Sequence, residues 1–375
     1  MTVTEPGALS GMRIVDFSRV LAGPYATMLL SDFGAEVIRL ERPGVGDDTR
    51  GWGPPWYEGE STYFLGLNRN KTSVAFDLTS EADRAMAREL ISGADVVVEN
   101  FKPGTLERYG FGYEQLAAEH PALVYCSVTG FGSGKGAHLP GYDLIAQATG
   151  GLMSITGHPE SGPAKVGVAM VDAITGLHAA LGIQTALIHR LRTGQGQRVE
   201  VNLLSSVLAS LTNQVSGHIL TGNVPKLMGN AHPSVAPYQP VATADRPLAI
   251  AAANDKQFIA LCRALGRPEL AEDPRYRSNT DRVTHREALI EDLENVFRTR
   301  DADHWFTALV DAGVPAGPIN DIGQAVTLAE SLGLEPVVLP DDEPEGRGIA
   351  QVRNPIRLSR TPATYRTNPP KLPVR

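Results

Sequence analysis

Cysteine is nearly absent from this chain of 375 residues: only Cys126 and Cys262 occur, far apart and with no CxxC pair. That excludes a disulfide framework and a thiolate metal site, and both residues sit among apolar neighbours, as buried thiols of a reducing compartment do. The nine histidines form no HExxH and no His/Cys cluster at ligand spacing, so no metal is expected. There is no P-loop and no GxSxG elbow. The turn after the first strand candidate reads Ser18-Arg-Val-Leu-Ala-Gly-Pro24 in place of GxGxxG, which speaks against a nicotinamide enzyme. Basic residues are outnumbered, 34 Lys+Arg against 42 Asp+Glu, and the net charge of -8 speaks against nucleic acid as a bulk partner. No apolar stretch reads as long enough to span a membrane, and the first ten residues include Glu5 and no apolar run. A cytoplasmic protein with no membrane partner is expected.

What is present is a globular composition, 42% hydrophobic and 20% charged, in a chain too long for one ordinary core, so two domains are expected. Short apolar runs at Arg13–Phe17, Ala35–Leu40, Ser73–Leu78, Asp95–Glu99, Ala122–Ser127 and Gln197–Asn202 read as strands. Helical runs separate several of them: Tyr25–Phe33 stopped by Gly34, and a helix from Ser80 to Gly93 with Asp83 in its capping position. Near-continuous apolar strands alternating with helices predict a Rossmann-like α/β domain with a mainly parallel sheet. It is expected to span residues 1–203 and to be completed by the proline-rich stretch from about 334 to 375. Turn-rich sequence over 204–228 reads as a linker. Residues 229–333 read as a smaller α+β domain, with a strand at Leu248–Ala252 and helical runs at Asp255–Leu265, Arg282–Arg300 and Ala302–Ala312.

One acid stands out by position. Asp172 follows a glycine-bearing loop and precedes Leu177, Leu181, Gln184, Leu187, Ile188 and Leu191, a three-and-four spacing that predicts a helix. A carboxylate in a first turn faces free backbone N–H groups and the positive end of the helix dipole. Its ordinary meaning is a cap. With metal, phosphate-loop and cysteine chemistry set aside, what is left is carboxylate chemistry or no chemistry.

Several blocks then fall in order: Asp16-Phe-Ser-Arg-Val-Leu-Ala-Gly-Pro24, Gly34-Ala-Glu-Val-Ile-Arg-Leu-Glu-Arg-Pro43, Asn68-Arg-Asn-Lys71, Glu99-Asn-Phe-Lys-Pro-Gly104, Gly141-Tyr-Asp143 and Gly194-Gln-Gly-Gln197. From about Leu9 to Pro362 the chain resembles the class III (CaiB/BaiF-type) CoA-transferases, the superfamily of formyl-CoA:oxalate and carnitine CoA-transferases. That superfamily also contains the α-methylacyl-CoA racemases. The resemblance implies an interlocked homodimer and a substrate, coenzyme A as its acyl thioester, exchanged with a small carboxylate; succinyl-CoA is the expected donor. Val171-Asp172-Ala-Ile-Thr-Gly176 matches the nucleophile block, which makes Asp172 the expected catalytic residue. Attack on a thioester would give an aspartyl anhydride and then an aspartyl-CoA thioester. Backbone N–H groups at the helix start are expected to steady the developing oxyanion and keep the resting carboxylate charged.

The resemblance also implies a CoA-binding set: Val20, Leu21, Arg42, Leu67, Asn70, Lys71, Asn100, Phe101, Lys102, Arg108, Lys135 and Tyr142. Some relatives carry a phosphate-binding lysine where this chain has Pro140, which leaves Lys135 or His138 as substitutes. Trp56 in Gly51-Trp-Gly-Pro-Pro-Trp56, Gln147, and Gly229 with His232 in Met228-Gly-Asn-Ala-His-Pro233 are expected around the acyl group and its lid. Relatives usually extend past the segment that here reads Asn368-Pro-Pro-Lys-Leu372 with a further helix. Tyr142 stands where the racemases have histidine, and a tyrosine of ordinary pKa is a poor general base near neutrality. Transfer is therefore expected. An α-methylacyl-CoA racemase-like isomerase and a CoA-binding protein without turnover are the alternatives.

Overall fold

A computed structural model describes residues 6–341 and 347–374. The six strand candidates of the first domain form one sheet in which every neighbouring pair is parallel. They are β1 (Arg13–Asp16), β2 (Glu36–Glu41), β3 (Lys71–Ala75), β4 (Val96–Glu99), β5 (Val124–Thr129) and β6 (Arg198–Asn202). Their spatial order is β3-β2-β1-β4-β5-β6, the arrangement of a doubly wound Rossmann sheet. Ile14 of β1 pairs with Val37 on one side and Val96 on the other. The order therefore reverses between β1 and β4, and a crevice opens beyond their carboxyl ends.

Strand alternation supplies two buried faces. Ile14, Val96, Val98, Val124 and Cys126 pack under α1 (Ala22–Asp32) and a long helix, Met170–Thr193, through Ala26, Leu30, Ala179 and Ile183. Val15, Val97 and Tyr125 pack on the opposite face, with Ala87 and Ile91 of α2 (Glu81–Ser92). Each fully buried aliphatic side chain contributes about 1.5–3 kcal/mol, so both layers are needed to hold the sheet. Ser80 caps α2 by accepting the Asp83 N–H, as its sequence predicts.

A short helix, α3 (Asp143–Thr149), precedes the long one, which we call α4 (Met170–Thr193). By length and composition, α4 is long and apolar enough to cross a membrane: it has 24 residues, and an 18-residue window within it has a mean hydropathy of 1.3. This corrects the expectation that no stretch reaches that length. The composition has a local cause: Val171, Ala179, Ile183 and Leu187 are buried, because a helix covering a sheet must be apolar on that face. Gly194, at φ 76, stops α4 in the left-handed conformation.

The chain divides into two compact units. The larger runs to Leu152, resumes over Lys165–Val224, and ends with the strip from Glu335. Residues 204–228, expected as a linker, carry two helices over much of their length, Leu203–Ser210 and Thr212–Thr221. The apolar residues there, such as Val207, pack with Ala146 and Val171 of the larger unit, which the turn signals further on obscured. The C-terminal strip is pinned in the same unit by Asp32. Its carboxylate accepts from Arg69 at 2.8 and 2.7 Å and from Asn354 at 3.0 Å.

The smaller unit holds Met153–Ala164 and Pro225–Leu334. Its three-stranded antiparallel sheet has Leu248–Ala251 between Tyr238–Val241 and Ala316–Pro318. Helices at Asp255–Ala264, Arg286–Phe297 and Ala302–Asp311 cover it around Phe258, Leu293 and Trp305. The single run expected over Arg282–Arg300 is interrupted: Asn279–Thr284 is a separate helix that ends at His285.

Candidate active site

The chain leaving β1 is bent by Asp16, whose carboxylate accepts from the Ser18 N–H at 2.8 Å and the Thr27 hydroxyl at 2.6 Å. Asn100, just past β4, grips the Arg19 peptide from both sides: its side-chain oxygen accepts the Arg19 N–H at 2.9 Å and its amide donates to the Arg19 carbonyl at 2.7 Å. The two loops at the sheet's switch point are thus tied together. Val20 adopts φ +68, a left-handed conformation that costs a β-branched residue stability and persists only when its surroundings enforce it. The enforcing group is Asp47, which accepts the Val20 N–H at 3.0 Å. Asp47 is in turn ion-paired with the fully buried Arg39.

Asp172 lies in the first turn of α4. It reaches the switch-point loops because Gly176, one turn on, lets α4 close against α1. A Cβ on Gly176 would stand 2.7 Å from the Ala22 carbonyl oxygen and 3.1 Å from the Tyr25 ring. The N–H groups of Val171 and Asp172 donate to the carboxylate of Asp143, at 2.8 and 3.1 Å. These donors are occupied by a cap arriving from α3. They are therefore committed neither to Asp172's own carboxylate nor to an oxyanion. The expectation that helix-start N–H groups keep Asp172 charged is corrected accordingly: burial, with the Asp143 charge adding to it, pushes Asp172 up to about 7. Tyr63 faces the same acids. Burial, followed by the charges of Asp172 and Asp143, pushes its phenol up to about 12, so it remains a proton donor at neutral pH.

Two clefts meet at Asp172. The first, about 380 Å3, follows the strand ends past Arg19, Asn100, Phe101, Lys102 and His138. The second, about 650 Å3, lies against Trp52, Tyr63, Leu144, Ile145 and Val168. Val20, Leu21, Tyr142 and Asp172 line both. A third hollow of about 340 Å3, beside Arg42 and Phe76, shares Arg19 and Phe101 with the first. There the Arg19 guanidinium stacks on the Phe101 ring, 4.5 Å from its centroid. The three form a chain of spaces: Asp172 lies where the first two meet, and Arg19 where the first meets the third, whose lining also holds Arg42 and the acids Glu41, Asp47 and Asp77.

Of the residues singled out in the sequence, Val20, Leu21, Asn100, Phe101, Lys102, Tyr142 and Asp172 come together around the first cleft. Arg42 lines the neighbouring hollow and pairs with Asp48. Others do not join them. The Lys71 ammonium is buried and donates to the Pro24 carbonyl at 2.7 Å and to Asn68 at 3.0 Å. Burial lowers it to about 7, with Asp16 pulling the other way. Asn70, also at positive φ, donates to Asp32 and Thr364 and accepts the Arg366 N–H. The polar atoms of both are taken up by protein partners, and neither side chain lines these clefts. Leu67, Arg108 and Lys135 line none of these spaces; the Arg108 guanidinium donates to the Gly104 carbonyl at 3.2 Å.

Trp56 folds back on Gly53, where a Cβ would stand 2.2 Å from its ring. Trp52 takes the cleft position instead. Gln147 is fully buried and braces Asp143 at 2.6 Å; it supports the site from behind. Gly229 and His232 belong to the smaller unit. The His232 ring packs on Tyr238 there, 5.1 Å between centroids, and its Nδ1 accepts the Ser234 N–H. Among the described residues no group of three or more His, Cys, Asp or Glu is placed to hold a metal. Sequence reasoning missed Arg19, Asp143 and Tyr63 as site residues, and within the expected lid stretch it singled out Trp56 where Trp52 lines the cleft. Arg19 and Asp143 stood inside the quoted blocks, but nothing in the sequence revealed what they would touch.

A doubly wound sheet with a carboxylate at its switch point, between a cationic cleft and an apolar one, suits acyl exchange on a nucleotide-bearing carrier. Comparison with known proteins gives the class: the sequence model of CoA-transferase family III matches residues 9–373. The chain belongs to that family and is an enzyme of the CoA-transferase type. It is 43% identical to the succinate–glutarate CoA-transferase of Agrobacterium fabrum, over 97% of this chain and 92% of that protein. It is 45% identical to the succinyl-CoA:glutarate CoA-transferase of Mus musculus, over 86% and 74% respectively. A crystal structure of a CaiB/BaiF family protein from Brucella suis matches with a TM-score of 0.87 at 42% identity, covering 98% of this chain and 97% of that one.

Proposed function

We propose that this enzyme moves CoA from an acyl-CoA donor, succinyl-CoA foremost, to a small dicarboxylic acid by way of covalent intermediates on Asp172. The observation that carries the proposal is the single carboxylate open to two clefts at once. A thioester laid across that junction has its pantetheine arm in the cleft bearing Arg19 and Lys102, and its acyl group in the other. The coenzyme's phosphates then have Arg19, Lys102 and Arg42 within the connected spaces. These cations offset a chain that is acidic overall.

In the proposed cycle the ionised Asp172 attacks the thioester carbonyl, forming a mixed anhydride and expelling CoA as thiolate. The thiolate attacks the aspartyl carbonyl, forming an aspartyl-CoA thioester and releasing the donor's carboxylate. The acceptor carboxylate attacks that thioester, giving a second anhydride and the thiolate again. Attack by the thiolate on the acceptor's carbonyl forms the new acyl-CoA and regenerates Asp172. One thioester is consumed and one made, with no net proton change. In this cycle Tyr63, protonated and lining the same cleft, would donate to the oxygen that gains charge.

A homodimer is part of the proposal. Leu181 and Leu191 on α4, and Ile219 and Leu220 in the helix Thr212–Thr221, are 62, 72, 73 and 80% exposed, and a partner subunit would cover such side chains. A cytoplasmic site accords with the two unpaired buried thiols. The test is mass spectrometry of the peptide containing Asp172 after incubation with succinyl-CoA. A CoA adduct on Asp172, absent from an Asp172→Asn variant, is expected. Transfer at the wild-type rate by that variant would end the proposal.

A further inference from the structure

The wider cleft carries a feature that the covalent cycle does not use. Its walls are mainly apolar and aromatic, and its two acids, Asp143 and Asp172, are neighbours. Lys165 is the only cationic side chain in its lining. Lys165 enters no ion pair among the described residues, and its ammonium donates to the Val166 carbonyl at 3.3 Å, a long bond that a carboxylate would readily replace. The segment bearing it is held in place. The buried Gln147 accepts the Val166 N–H at 2.9 Å while bracing Asp143, the cap of the nucleophile's helix. One glutamine therefore fixes both the nucleophile's support and the loop segment that bears the ammonium.

We infer that Lys165 binds the far carboxylate of a dicarboxylic acyl group or acceptor whose near carboxylate reacts at Asp172. The inference rests on the function proposed above and names what the second cleft selects. An extended five-carbon diacid spans about 5 Å between its carboxyl carbons, from ordinary C–C bond lengths. The lysine stem adds a flexible reach of its own. The methylenes between the carboxylates lie against Trp52, Tyr63 and Val168, where apolar contact favours them. Lys165 is not the counter-ion of the nucleophile, since burial and Asp143 account for the raised Asp172. It lines the same cleft as Asp172 without pairing with it. A monocarboxylic acid of equal length fills the same walls and leaves the ammonium unpaired.

The experiment compares kcat/KM for glutarate and for valerate as acceptors, with succinyl-CoA as donor, in wild type, Lys165→Met and Lys165→Arg. Wild type prefers glutarate, and Lys165→Met lowers the glutarate-to-valerate ratio by about tenfold or more, the loss expected for one charge-assisted hydrogen bond. Lys165→Arg restores most of the ratio. A ratio unchanged in Lys165→Met overturns the inference, as does a wild type without preference for the diacid. The Asp172 adduct is measured in the same variants. If it forms with succinyl-CoA while the ratio stays flat, only the role of Lys165 fails; if it never forms in wild type, the covalent cycle itself fails.

Discussion

Replacing Asp172 by Asn should abolish transfer and at the same time make the protein more stable, by an amount that grows with pH. Asp172 rises from an ordinary 3.8 to about 7 on folding, because burial and then the Asp143 charge penalise its ionised form. A carboxyl whose folded pKa is raised binds its proton more tightly when folded than when unfolded. Stability is then lost as pH climbs from the unfolded value to the folded one, and the loss is complete above about 7. Three pKa units correspond to a ceiling of about 4 kcal/mol. The side chain opens onto two clefts, so water relieves part of this; the Asn variant should gain about 1–2 kcal/mol on wild type between pH 5 and pH 8. The assay is reversible denaturant unfolding of both proteins at the two pH values, with Asp172→Ala alongside to guard against deamidation of the new Asn. A difference in stability that is the same at pH 5 and pH 8, or a wild type that is the more stable at pH 8, would refute the assignment of a strained, charged Asp172. The companion result is an acid limb near pH 7 in wild-type kcat/KM, where the nucleophile loses its charge.

Asp143→Asn keeps an oxygen for the Val171 and Asp172 N–H groups but removes the neighbouring charge, so the acid limb of the pH–rate profile should move to lower pH, by about one unit. Gly176→Ala places a methyl group 2.7 Å from the Ala22 carbonyl and should cost about 1–3 kcal/mol in unfolding measurements. Its kcat should also fall as α4 shifts Asp172 away from Val20; full activity with unchanged stability would show that the close helix contact does not set the site.

The six strands were legible because each is a short apolar run bounded by turns, and β1, β4 and β6 begin and end within two residues of their expected limits. Asp172 was legible as a first-turn acid because helix periodicity starts immediately after it. What escaped the sequence was pairing across distance. Asp143 caps a helix that begins 27 residues later, and no local pattern links the two. Lys71 and Asn70 sit in a block that resembles a nucleotide contact, yet their polar atoms close a buried network with Asn68, Asp32 and the C-terminal strip. A charge in a motif says that a partner is required; only the fold says whether that partner is a phosphate or a carbonyl. Trp52 and Trp56 differ for a similar reason, since the turn that turns one ring inward depends on Gly53. The helices over 203–221 were lost to the turn-rich sequence after them.

The Asp32 cluster has a bearing on how the protein is made. Arg69 and Asn354 meet on one carboxylate, although 285 residues separate them. At about 5–20 residues per second, a ribosome needs roughly 15–60 s to deliver the second after the first. During that interval Asp32 and Asn70 lack their C-terminal partners, and the whole smaller unit is synthesised before the last strip arrives. Slow elongation through the middle of the message, or scarcity of a chaperone that shields the unfinished unit, should therefore lower the yield of soluble enzyme far more than its final stability would suggest.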